Sequence, residues 1–222
     1  MNKIKRRIKQ LLSLLIGLMR FPFCSSQYDI KRGYRHRKQY AHFSAIGAKD
    51  EMQNEVYETA YGLAEEHGLQ NIIDVGCGAG YKLIKFFSKE YDFIGIDIQT
   101  TYEYLVKQYP AYHWVNGETL DYSELTGDLV ICADVIEHVI DPIDLLQKIK
   151  SIKNVKFIIL STPDRLLVRG SYDFGPPGNW SHMREWTGKE FANFIRPHLN
   201  ILTHQISNYS QGTQLLVCKP YL

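Results

Sequence analysis

The sequence predicts an α/β domain whose mainly parallel sheet is covered by helices on both faces. Three observations predict it. From about residue 50, short apolar runs alternate with amphipathic stretches, the pattern of strand and crossover helix. One run, NIIDVGCGAG (71–80), passes from a buried strand straight into a glycine-rich turn. The 222 residues, 45% hydrophobic and 13% aromatic, suit one sizeable core.

In chain order, MNKIKRRIKQLLSLLIGLMRF comes first. It sets Ile4, Ile8, Leu11, Leu12, Leu15, Ile16 and Met19 at helical spacing, with Lys3, Arg6, Arg7 and Gln10 mostly elsewhere on the wheel. This predicts a basic amphipathic helix. Its least interrupted apolar run, Leu11 to Met19, is far short of the ~20 residues that span a bilayer. Three roles are open to it: a signal peptide, a helix lying in an anionic membrane surface, or a helix docked on its own domain or on a second subunit. Arg20 and the following FPFCSS supply no small-x-small cleavage site for the first. The next segment, YDIKRGYRHRKQYAHF, mixes Arg35, Arg37 and Lys38 with Tyr28, Tyr34, Tyr40, His36 and His42. Such a mixture contacts sugars, bases or phosphates, or packs its rings on the domain as a linker. Residues 1–45 therefore read as a basic arm and 46–222 as the main domain.

KDEMQNEVYETAYGLAEEHG reads as a helix stopped by Gly68, followed by a buried strand at Asn71 to Val75 and a helix from about Tyr81 to Ser88. YDFIGIDI is a second strand, YEYLVKQY a helix ended by Pro110, YHWV a third strand and DLVICA a fourth. In DPIDLLQKIKSI, Asp141 caps a helix with Pro142 in its first turn. VKFIILST is a fifth strand. A long loop containing DFGPPGNW, read as a lid, runs to Thr187, where TGKE is a capping box for a helix to about Ile195. NILTHQIS and TQLLVCK close the chain as a hairpin.

Residues 1–40 carry a net +10, so the rest carries −8 within an overall +2. A domain that is itself acidic does not suggest a nucleic-acid partner. Four scattered cysteines (Cys24, Cys77, Cys132, Cys218), with no C-x-x-C pair and no histidines at zinc-site spacing, predict reduced thiols in a cytoplasmic protein and no metal site.

The loop after the first strand points at the crevice mouth, where ligands of such sheets bind. Gly76, Gly78 and Gly80 let a ligand approach the backbone and its N–H groups. A dinucleotide fingerprint would need glycine at position 81, which is Tyr81, and no G-K-[ST] of a P-loop is present. Asp74 would repel a pyrophosphate and attract a cation. Asp97, ending the second strand, is placed to accept bonds from both hydroxyls of a ribose. A cationic nucleoside, S-adenosylmethionine, meets all of these demands.

DVGCGAG resembles the first motif of the class I, Rossmann-like S-adenosylmethionine-dependent methyltransferases, and GID around Asp97 is similar to their second. DLVICADVIEHVIDP, STPDR and HMREWTGKEF resemble later segments, particularly of the small-molecule group. The resemblance covers residues 50 to 222. It implies a three-layer fold on a seven-stranded, mostly parallel sheet with the last strand antiparallel. It also implies cofactor contacts from Asp74, Gly76, Cys77, Gly78, Gly80, Asp97, Ile98, Ala133 and Asp134. Glu118 or Asn116 would meet the adenine, although the sequence departs here from the usual Gly-Asp-Ala pattern.

Methyl transfer to oxygen requires a base of near-neutral pKa, and His138 and His182 are the candidates. Alternatively, His138 is a backbone-bonded turn histidine, and His182, Arg184 and Glu185 form a polar network pinning the loop. Arg184, Trp180, Trp186 and Tyr34 are the candidate acceptor contacts. The expected acceptor is a small molecule, a glycan or a lipid-linked compound, and residues 1–20 are expected to meet an anionic membrane surface. A nicotinamide oxidoreductase or a noncatalytic scaffold on the same fold are the rival functions.

Overall fold

The computed structural model describes residues 3–23, 25–39 and 52–221. Seven strands form one sheet in the order β3-β2-β1-β4-β5-β7-β6. They are β1 (Asn71–Val75), β2 (Asp92–Asp97), β3 (His113–Asn116), β4 (Leu129–Ala133), β5 (Phe157–Pro163), β6 (Asn200–Asn208) and β7 (Thr213–Lys219). The first five run parallel; β7 is antiparallel to both β5 and β6. The expected seven-stranded sheet with a reversed last strand is thus present. Order reverses between β1 and β4, which opens a crevice at their carboxyl ends.

The central strands β4 and β5 are buried almost end to end, as parallel strands covered on both faces must be. One face is sealed by α2 (Asn54–His67), α3 (Tyr81–Phe87) and α4 (Gln99–Gln108), through Val56, Ala60, Leu83 and Leu105, which meet Trp114 of β3. On the other, α5 (Pro142–Ser151) and α7 (Gly188–Ile195) bring Leu146, Ile149, Phe191 and Phe194 onto Val130, Ile158 and Leu160. Burying each such side chain contributes about 1.5–3 kcal/mol. Both predicted caps form. The Asp141 carboxylate accepts the N–H groups of Ile143 and Asp144, and Thr187 and Glu190 close a reciprocal capping box.

Two short elements lie in stretches read as loop. They are a 3-10 turn at Tyr122–Glu124 and α6 (Arg165–Arg169). Asp164 caps α6 and Gly170 ends it, and five residues are too few to display a helical period.

Of the expected arm, residues 1–45, the described part packs on the domain, one of the placements the sequence left open. The expected boundary at 45/46 lies outside the described residues, as do Tyr40 and His42. Residues 28–37, however, are woven into the core. Ile30 and Tyr34 are buried, Trp186 Nε1 donates to the Tyr28 carbonyl at 2.8 Å, and the Arg35 N–H bonds to the Phe174 carbonyl at 2.9 Å. Beneath this strap the buried Arg165 donates from Nη2 to both carboxylate oxygens of Glu190, at 2.7 and 2.8 Å, and from Nη1 to the Glu185 carbonyl, its guanidinium lying 4.6 Å over the Tyr34 ring. Glu190 also takes the Lys31 N–H, so one carboxylate ties strap, α6 and α7 together. The basic helix α1 (Lys3–Arg20) packs on the outside of this region.

Candidate active site

A cavity of about 880 Å³ opens at the β1/β4 reversal, within the range of ligand sites. Its floor is the loop after β1. Gly76, Gly78 and Gly80 have φ of +80°, +56° and +70°, a left-handed geometry that side chains resist. The missing side chains at Gly76 and Gly80 also make room for neighbours. A Cβ at Gly76 would lie 2.3 Å from Val135, and one at Gly80 would lie 2.8 Å from Leu105 and from Trp114. The loop is held from β2: Asp97 Oδ2 accepts the Gly78 N–H and Oδ1 the Ile98 N–H, both at 2.8 Å.

The predicted cofactor residues converge here. Gly76, Cys77, Gly78, Gly80, Asp97, Ile98, Glu118, Ala133 and Asp134 all line the cavity. Asp74 does not line it but lies beneath the loop, fully buried. Its Oδ2 accepts the Tyr57 hydroxyl at 2.8 Å, while Oδ1 has no hydrogen-bond partner. Burial pushes its carboxyl up to about 7, against the pull of the Tyr57 hydrogen bond. Asp134 is held at φ +53°, a strained value for a residue with a side chain; the Ser161 hydroxyl donates to its Oδ1 at 2.7 Å and accepts its N–H at 3.1 Å.

On the opposite wall stand the two candidate histidines, their rings perpendicular with centroids 4.7 Å apart. His182 Nδ1 lies 2.8 Å from Glu185 Oε1, and its Nε2 lies 2.9 Å from the Asn179 amide nitrogen. A carboxylate on one side and an N–H donor on the other assign the proton to Nδ1. His138 Nδ1 faces the Ser181 carbonyl at 3.2 Å, which assigns its proton likewise. Between them, Glu137 is fully buried with no well-formed hydrogen bond on either carboxylate oxygen, and burial drives its pKa well above the ordinary value. Donor atoms of Glu137, His138 and His182 all lie within 4.8 Å of one another, close enough to share a cation. Sequence spacing concealed this grouping, because His182 joins it only through tertiary closure.

The four predicted acceptor contacts fall elsewhere. Tyr34 and Trp186 are core residues; the Tyr34 hydroxyl accepts the Glu185 N–H at 3.1 Å. Arg184 is buried and spans the carbonyls of Val139 and Ile140, both at 2.7 Å. Trp180 is exposed, next to the cavity-lining Asn179. Aromatic and cationic side chains read as ligand contacts in the sequence because packing and binding use the same residue types. In these positions Tyr34, Arg184 and Trp186 tie the segment before α7 to the domain. Tyr57, Glu137 and Asn179 are the site residues that the sequence reading missed as such.

Six carboxylates (Asp97, Glu118, Asp134, Glu137, Asp141, Asp144) and two lysines (Lys82, Lys148) line the cavity. That balance suits a cation and opposes a pyrophosphate. Together with the main-chain cradle and the orphaned Asp74 oxygen, it fits S-adenosylmethionine. A glycine floor at the switch point of a seven-stranded sheet, under an acidic cavity, defines a class I S-adenosylmethionine-dependent methyltransferase.

Comparison with known proteins gives the family. The profile of the methyltransferase domain family matches residues 28–215, and the chain belongs to that family. Its methyl donor is S-adenosylmethionine. The chain is similar to the tRNA U34 carboxymethyltransferase of Campylobacter curvus, with 26% identity over 120 residues; the match covers 50% of this chain and 40% of that protein. Its fold is similar to that of an S-adenosylmethionine-dependent methyltransferase from Clostridium acetobutylicum, with a TM-score of 0.58, 15% identity, and 77% and 93% of the two chains covered. The magnesium protoporphyrin IX methyltransferase of Synechocystis PCC 6803, solved with bound SAM, superposes with a TM-score of 0.52 and 14% identity over 76% and 80%.

Proposed function

We propose that the protein methylates an oxygen of a small-molecule, glycan or lipid-linked acceptor seated between the glycine loop and the lid. The supporting observation is the His138–His182 pair on the cavity wall, one ring oriented by Glu185 and the other by the Ser181 carbonyl. When bound, S-adenosylmethionine supplies an electrophilic methyl group on a sulfonium. Asp97 would hold the ribose hydroxyls and the main chain of residues 76–80 the methionine portion, with Asp74 acting on its ammonium by charge from beneath the loop. Glu118, Ile98 and Tyr122 would enclose the base. His138 takes the acceptor's proton as the oxygen attacks, or His182 does once the acceptor displaces the Asn179 amide from its Nε2, Glu185 then steadying the resulting imidazolium. The lid carrying Asn179 and His182 excludes water from the reacting pair.

The test is methyl transfer to fractionated metabolites, glycans and lipids by the wild type and by His138→Asn and His182→Asn. Rates should fall about 10²–10⁴-fold while donor affinity by calorimetry is unchanged. Full activity in both variants would overturn the role of the pair. A tRNA arm belongs in the same assay because of the carboxymethyltransferase relative; labelled RNA with unlabelled lipid and metabolite fractions would replace the acceptor class.

A second role for the same residues is favoured by the closeness of the Glu137 carboxylate, which makes no well-formed hydrogen bond, to both histidines. A divalent cation held by Glu137, His138 and His182 would satisfy that carboxylate and lower the pKa of an acceptor hydroxyl. Mn²⁺ titration followed by electron paramagnetic resonance should show one bound ion, lost in Glu137→Gln. An unchanged free-ion signal would reject this role.

A further inference from the structure

Helix α1 meets the domain with the face opposite to the one a core-packing helix would use. Ser13 and Gly17 are buried; the Ser13 hydroxyl accepts the Phe174 N–H at 2.9 Å, and a Cβ on Gly17 would fall 2.1 Å from the Phe174 ring. Gln10 donates to the Arg169 carbonyl at 2.9 Å. These small and polar residues form the inner face. The apolar stripe looks outward: Leu11 is 60% exposed, Met19 74%, and Ile8, Leu12, Leu15 and Leu18 are each more than half exposed. A surface helix ordinarily turns such a stripe toward the core. Phe23, just beyond the helix, is 86% exposed.

Charge indicates what covers this stripe. The helix contains no acid, and its exposed cations flank the stripe, Lys5, Lys9 and Arg20 along one margin and Arg7 along the other. In the α6 region, which Gln10 joins to α1, Leu166, Leu167, Val168 and Tyr172 are also exposed. Pairing two copies of the stripe would bring like charges together with no acid in either helix to offset them. No helix among the described residues is long and apolar enough to cross a membrane. An apolar face between rows of cations matches the interface of an anionic bilayer, acyl chains below and headgroups beside.

We propose that α1 and the α6 region form a docking surface for anionic lipid bilayers, with α1 lying flat in the headgroup layer. The same contacts reach the site: Arg169 packs against Gly178, the residue before the cavity-lining Asn179. Docking therefore holds the lid at the membrane. Delivery of a lipid-linked acceptor from that surface rests on the function proposed above, whereas docking itself does not.

The test is co-sedimentation of the full chain with vesicles of phosphatidylcholine alone and with phosphatidylglycerol added. Binding should require the anionic lipid and weaken with salt. It should fall at least tenfold in Leu11→Gln/Leu15→Gln, and about as much in Lys5→Gln/Lys9→Gln. Calorimetry with S-adenosylmethionine serves as the folding control and should be unchanged in both variants. Equal sedimentation of wild type and variants would overturn the proposal. So would a wild-type dimer in analytical ultracentrifugation that the leucine variant dissociates, which would make a second copy the occupant. Loss of donor binding in the wild type would instead count against the cofactor reading and leave the docking result standing.

Discussion

Asp74 shows how one buried side chain links stability to ligand choice. Its carboxyl is pushed from 3.8 up to about 7 by burial, so the folded protein favours the protonated form. The stability this gives is fully present below about pH 4, is lost as pH rises toward 7, and is level beyond. Unfolding free energies of the wild type minus those of Asp74→Asn should therefore fall across that interval, as measured by urea titration. A cation bound nearby favours the ionised form. Donor affinity should rise as pH increases through about 7 in the wild type and stay flat in Asp74→Asn, by calorimetry. At Gly76 the expectation is steric. Gly76→Ala should abolish donor binding and destabilise the fold, and Val135→Ala in the same chain should restore only part of it, because the positive φ persists.

At the level of elements, much was legible because the signals are local. Apolar runs located β1 to β5, and side chains reaching two or three residues along the chain located the caps of α5 and α7. Asp141→Ala should cost about 1 kcal/mol in denaturant unfolding, the usual worth of an N-cap. The glycine loop and Asp97 were legible for the same reason. The roles of Tyr34, Arg184 and Trp186 were not, because nothing in a residue's type says whether its partner is a substrate or another segment of its own chain. The orientation of α1 was also hidden. Periodicity shows that a helix has two faces, and only tertiary contact shows that Ser13 and Gly17 turn inward.

Across the whole molecule, the N-terminal strap, α6 and α7 are fastened by one buried ion pair. Removing one partner strands the other's charge, so Glu190→Gln should cost about 3 kcal/mol and loosen the strap together with the lid. Limited proteolysis should then cut near residues 25–39 before it cuts the sheet. The two margins of that sheet have a separate consequence. One ends on β3, only four residues long, and the other on β6, whose outward residues include Thr203, His204 and Gln205 and whose register shifts twice. Neither offers a flat, greasy ribbon to a neighbouring molecule. Concentrated samples should thus resist amyloid-like growth, and clumping should yield to a mild detergent that coats the first helix.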